Sequence, residues 1–109
     1  MAPMIEKEMG RLDWRRPAAE LERRMRAFTP WPGSFTTWQG GLLKVHAARV
    51  GQGRGEPGEV LSAGPEGLEV ACAEGSLVLT QLQPEGRRVM QAGEFLAGHK
   101  LGKGARFTS

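Results

Sequence analysis

The 109-residue chain has no asparagine, no tyrosine, one isoleucine, one aspartate (Asp13), one cysteine (Cys72) and two histidines (His46 and His99). A lone cysteine excludes an internal disulfide and fits a reducing compartment. No apolar run approaches the roughly 18 residues that a membrane-crossing helix needs. No basic-then-apolar segment opens the chain as a secretory signal would. A cytoplasmic location without a membrane partner is therefore expected. The shortage of aspartate and histidine leaves little for an active site. Ser34, Ser62, Ser76 and Ser109 sit in no nucleophile elbow, and Cys72, His46 and His99 have no metal-ligand spacing. The expectation is no metal, no bound cofactor and no independent enzyme. With no tyrosine beside 3 tryptophans and 4 phenylalanines, a base-stacking platform of the kind that single-strand binders use is not expected either.

What is present fits one globular domain. Apolar residues make up 39% and charged residues 25%, ordinary values for a folded chain. The 16 glycines and 7 prolines favour short strands and tight turns over a helical bundle. The formal charge is +3 and the sequence pI about 9.6. Arginine supplies 11 of the 15 cations. A genome rich in G and C accounts for that bias without any function. The functional alternative is an anionic partner, because the planar guanidinium grips phosphate with a fork of donors.

Residues 1–9 read as linker and residues 10–109 as one domain. A helix is expected from Pro17 to Phe28. Proline suits its first position, Ala18, Leu21, Met25 and Phe28 form one stripe, and Glu20–Arg24 and Glu22–Arg26 have favourable i,i+4 order. Thr29-Pro30-Trp31-Pro32-Gly33 stops it. The period then changes to two. Strands are expected over Ser34–Trp38, Leu42–Val50, Gly58–Ala63, Leu68–Cys72 and Ser76–Gln83. In the second, Leu43, Val45 and Ala47 share a face opposite Lys44 and His46. The fifth is apolar on both faces, so it is central or bulged. Arg87–Met90 is a short extended piece, and Gln91–Gly98 a short helix anchored by Phe95 and Leu96. The glycine-rich loop 51–57 lacks the lysine and the following helix of a phosphate-binding loop. The expected fold is mainly β: a small oligonucleotide-binding-like (Greek-key) barrel of five to six strands, with an N-terminal α-helix and a short C-terminal helix.

Positive charge concentrates at the two ends of the sequence. The candidate nucleic-acid contacts are Arg11, Arg15, Arg16, Arg23, Arg26, Lys44, Arg87, Arg88, Lys100, Lys103 and Arg106. If they share one exposed face they could follow a phosphate backbone by shape, as in contacts to structured RNA. If they scatter, or pair with the acidic stretch from Glu56 to Glu74, they are only a solvated surface.

Arg26-Ala27-Phe28-Thr29-Pro30-Trp31-Pro32-Gly33, preceded by Leu12-Asp13-Trp14 and Pro17-Ala18, resembles the opening of the C-terminal domain of methionyl-tRNA formyltransferases. Gly67-Leu68-Glu69-Val70-Ala71-Cys72 resembles that family's next strand. Leu82-Gln83-Pro84-Glu85-Gly86-Arg87-Arg88-Val89-Met90 and Phe95-Leu96-Ala97-Gly98-His99 resemble its closing segment. The resemblance runs from about Ile5 to Phe107 and makes the linker over residues 1–9 an interdomain one. It implies a module contributing a positive surface to initiator Met-tRNA, attached to an N-terminal catalytic domain that formylates the methionyl group with 10-formyltetrahydrofolate. The family's catalytic Asn-His-Asp set belongs to that other domain, so this chain alone is expected to be inactive, to hold no cofactor and to be monomeric. The same domain type follows the catalytic domains of 10-formyltetrahydrofolate dehydrogenases and sugar-nucleotide formyltransferases, where it need not touch RNA. That leaves a structural appendage as the alternative.

Overall fold

A computed structural model of the chain describes residues 12–27, 34–38, 41–64, 66–98 and 105–107. The expected linker over residues 1–9 lies outside them, as do Trp31 and the proline-rich stop. The elements are α1 (Ala18–Ala27), β1 (Ser34–Trp38), β2 (Gly41–Gly51), β3 (Val60–Gly64), β4 (Gly67–Ala71), β5 (Ser76–Pro84), β6 (Met90–Gln91) and α2 (Ala92–Gly98). The fold is mainly β with a helix before the strands and a short helix after them, as expected. All strand pairings are antiparallel, in the order β1-β2-β5-β4-β3, with β6 added to β5.

β5 is central because it can bury both faces. Leu77, Leu79 and Leu82 are fully buried on the core side, and Ser76 and Val78 are buried on the other. Each fully buried leucine contributes about 2 kcal/mol of apolar transfer. Against this strand Leu43 and Val45 of β2, and Leu68 and Val70 of β4, complete one core. α1 lays Ala18, Leu21 and Met25 on that core. The helix starts over the β4–β5 hairpin, where the Ala18 N–H donates to the Glu74 carbonyl. From the other side α2 inserts Phe95, which is 1% exposed.

Trp14 ties the two ends of the chain together. Its indole N–H donates to the buried Thr36 hydroxyl at 3.1 Å, and its ring lies 6.1 Å from that of Phe107, within the range of favourable aromatic pairs. Phe107 is held by its N–H to the Gly58 carbonyl at 2.7 Å. Gly58 has φ of 89°, and a Cβ there would stand 2.5 Å from the Phe107 carbonyl oxygen, so only glycine fits.

The alternation expected in β2 breaks at its middle. Val45 faces Leu82 and Ala47 faces Gln81, with register shifts on both sides of Ala47, so His46 has no opposing residue in the β2–β5 ladder. Ala47 therefore does not continue the buried row of Leu43 and Val45; Ala48, opposite Leu79, packs against the core instead. Such irregularities bend a strand and re-aim a side chain.

Candidate nucleic-acid interface

Residues that oppose one another across β2, β5 and β4 share a face, and the outer face of this sheet carries two polar clusters. At one end, Lys44 lies opposite Gln83, and both Lys44 and His46 are exposed. His46 Nε2 is 2.8 Å from Gln83 Oε1, and the Gln83 side-chain amide N–H donates to the Arg87 carbonyl at 2.8 Å. That second bond fixes the first. A carbonyl only accepts, so the NH2 of Gln83 must face Arg87 and its oxygen must face His46. His46 Nε2 therefore carries the proton. A shallow depression lined by Leu42, Lys44, Gln83, Pro84, Glu85 and Gly86 opens beside the pair. Its carboxylate, Glu85, accepts from the Leu42 N–H at 3.4 Å.

The second cluster is partly covered. Gly51 ends β2 opposite Ser76, and residues 52–55 continue from it along the outer face. A Cβ on Gly51 would stand 2.6 Å from Ser76 Oγ, one on Gly53 2.5 Å from Leu61 Cδ1, and one on Gly55 2.8 Å from Glu59 Oε1. The alternate glycines thus press bare Cα atoms onto the sheet. Beneath them the Ser76 hydroxyl donates to Glu69 Oε2 at 2.5 Å, the Gly53 N–H reaches the same oxygen at 3.1 Å, and the Ser62 hydroxyl donates to Glu69 Oε1 at 3.4 Å. The Gly53 N–H also reaches Ser76 Oγ at 3.0 Å. This glycine run is a strap that shields one side of a satisfied carboxylate cluster, whose other side opens with the exposed Ser62 and Arg49 into a depression; with its Gly53 N–H already used it is not a cradle for phosphate.

The remaining cations divide by whether a carboxylate already holds them. Arg15 pairs with Asp13 at 3.1 Å, Arg16 with Glu20 at 2.8 Å, Arg26 with Glu22 at 3.0 Å, and Arg88 with Glu94 of α2. Glu20 also lies 4.0 Å from Arg24. The Arg15 side-chain hydrogen bond holds the Asp13 carboxyl below its usual range; partial burial opposes this, and the Arg15 backbone N–H and nearby guanidinium charges reinforce it. Arg23, Lys44, Arg49, Arg54, Arg87 and Arg106 have no carboxylate partner among the described residues. None of the described pairs uses the acidic stretch from Glu56 to Glu74.

The candidates therefore form groups rather than one patch. The Trp14–Phe107 contact brings Arg15, Arg16 and Arg106 toward one end of the fold. Arg54 lines a depression with the hairpin residues Cys72–Gly75, on which the start of α1 rests. At the other end of β2 Lys44 lies opposite Gln83, whose side chain bonds the Arg87 backbone carbonyl. Arg23 and Arg26 lie on α1. Arg11, Lys100 and Lys103 lie outside the described residues. Sequence reasoning missed His46 and Gln83 as site residues. The alternation of Lys44 and His46 on the polar side of β2 was the available signal, but their partner lies 37 residues on from His46.

Cys72 is 2% exposed, and burial pushes its thiol up to about 12. It is a packing residue with no nucleophilic use. Among the described residues no group of three or more His, Cys, Asp or Glu side chains could share a metal ion. None of the described helices is long and apolar enough to cross a membrane.

The sequence pattern of the formyl transferase C-terminal domain matches residues 4–100. Methionyl-tRNA formyltransferase from Myxococcus xanthus is 65% identical over 106 residues, which cover 97% of this chain and 34% of that protein. The Geotalea daltonii methionyl-tRNA formyltransferase is 47% identical over 105 residues, again with 34% of its length covered. The chain thus spans about a third of the curated relatives it matches. A crystal structure of HypX from Aquifex aeolicus in complex with tetrahydrofolic acid superposes with a TM-score of 0.70 over 99% of this chain and 22% of HypX, at 23% identity. That likeness is one of fold.

Proposed function

Because the chain belongs to the formyl transferase C-terminal domain family, we propose that it is the tRNA-binding C-terminal module of a methionyl-tRNA formyltransferase. In this reading it works in one polypeptide with a catalytic domain that formylates initiator Met-tRNA from 10-formyltetrahydrofolate. The observation that carries the reading is the 65% identity to a methionyl-tRNA formyltransferase over nearly the whole chain. The exposed cations supply the means. Lys44, Arg87, Arg23, Arg54 and Arg106 release counterions when they meet phosphates, and no described carboxylate has to be displaced first. The module holds the RNA; the chemistry, and the formyl donor, belong to the other domain. The grip reads shape and backbone, so one surface serves many sequences.

A second reading, a structural appendage that packs on a catalytic domain and binds no RNA, is favoured by the scatter of the candidates and by the carboxylates that already hold Arg15, Arg16, Arg26 and Arg88. Titration of labelled initiator tRNA with this chain, at low and then rising salt, separates the two. Weak binding with a log–log salt slope of about −3 to −5, little changed with elongator tRNA, is expected for four to six phosphate contacts. Absence of binding at low salt, persisting when the catalytic domain is restored, would establish the appendage.

A further inference from the structure

The Lys44–His46–Gln83 cluster is built, yet nothing within the described fold uses it. A register shift leaves His46 outside the β2–β5 ladder, and its side chain turns onto Gln83 at 2.8 Å. Gln83 is itself pinned by the Arg87 carbonyl. With the proton fixed on Nε2, Nδ1 of the neutral ring is a hydrogen-bond acceptor, and it has no described partner on this exposed face. A phosphodiester offers no donor to such an atom, and neither does a deoxyribose within a strand. A ribose 2′-hydroxyl does. Lys44 stands two residues away on the same face, about 7 Å along the strand, a span that one ribose and its adjoining phosphate cover.

We propose that this cluster is a ribose-reading subsite: His46 Nδ1 accepts from a 2′-hydroxyl while the Lys44 ammonium takes the neighbouring phosphate. The cluster then makes the domain prefer RNA to DNA without reading sequence. This rests on the RNA-binding reading above and adds a chemical selectivity to it. Gln83 is the positioning residue, since its amide sets both the ring orientation and the tautomer. Glu85 is the nearby carboxylate, and its bond to the Leu42 N–H keeps it at the rim.

The test uses two labelled hairpins of one sequence, one ribose and one deoxyribose, titrated with the chain at about pH 8. His46→Ala is expected to weaken RNA binding about fivefold, the worth of one hydrogen bond, and to leave DNA binding unchanged. Gln83→Leu is expected to have part of that effect. Lys44→Ala is expected to weaken both polymers alike and to make the salt slope shallower by about one. Histidine 15N shifts report the tautomer independently: protonation at Nε2 is expected, with Nδ1 moving when RNA is added. If His46→Ala weakens both polymers equally or neither, the subsite is wrong and RNA binding stands. If the folded chain binds neither hairpin at low salt, and still binds neither when the catalytic domain is restored, both readings fall.

Discussion

The two polar clusters on the outer sheet face share β5 and serve opposite ends. Around Glu69 the accounting is complete: two serine hydroxyls and the Gly53 N–H meet the half-buried carboxylate, and the glycine strap shields one side of it. Around His46 it is open: Gln83 is bonded on both sides of its amide, while Lys44 and one ring nitrogen face solvent. A satisfied, half-buried network stabilises a fold, because a buried polar group left unmet, here Ser76, costs about 1–3 kcal/mol. A positioned but unsatisfied one on the surface is free to meet a ligand. The difference predicts which substitutions move stability and which move binding.

The largest effect is expected at the strap. Gly53→Val places branched carbons where Leu61 and Glu69 already stand within 2.6 Å. Both are ends of flexible side chains that can shift, so the cost comes mainly from disturbing the Glu69 hydrogen bonds and should be about 2 kcal/mol of stability, read by denaturant unfolding. Ser76→Ala removes a donor to Glu69 and should cost about 1–2 kcal/mol, with tRNA affinity unchanged once the protein is folded. At the open end the pattern inverts. Lys44→Ala should leave stability within about 0.5 kcal/mol and lower tRNA affinity several-fold, measured by anisotropy. If Lys44→Ala destabilises as much as Ser76→Ala, the distinction between the clusters is lost.

The smallest effect concerns Asp13, a surface pair that belongs to neither cluster. Arg15 depresses its folded pKa, so its contribution is present above the ordinary value of 3.8 and is lost as pH falls through the lower folded value. Asp13→Asn should therefore be slightly less stable than the parent at neutral pH and converge with it in strong acid. Thermal melts across that range check the sign.

Local chemistry made much of this legible in the sequence. β1 runs over Ser34–Trp38 as expected, and α1 (Ala18–Ala27) differs from expectation by one residue at each end, Phe28 lying outside the described residues. The i,i+4 pairs Glu20–Arg24 and Glu22–Arg26 follow from helix spacing alone. The strap was not legible. A Gly-x-Gly-x-Gly run reads as a flexible loop, and what makes it rigid is Leu61, Glu69 and Ser76, all supplied by later strands. The irregularity at His46 was hidden for the same reason: a one-residue shift is set by what lies across the ladder, and Gln81 and Leu82 carry no local mark of it. Fold-level likeness to the family preserves the strands; the site depends on contacts that only the folded chain assembles.

The most direct measurement is the salt dependence of initiator tRNA binding for the parent chain and for Lys44→Ala/Arg87→Ala. If the open end grips the backbone, the parent slope of about −3 to −5 becomes shallower by about two in the double variant, with stability unchanged. An unchanged slope in a folded variant would place the RNA elsewhere and contradict the assignment of this face.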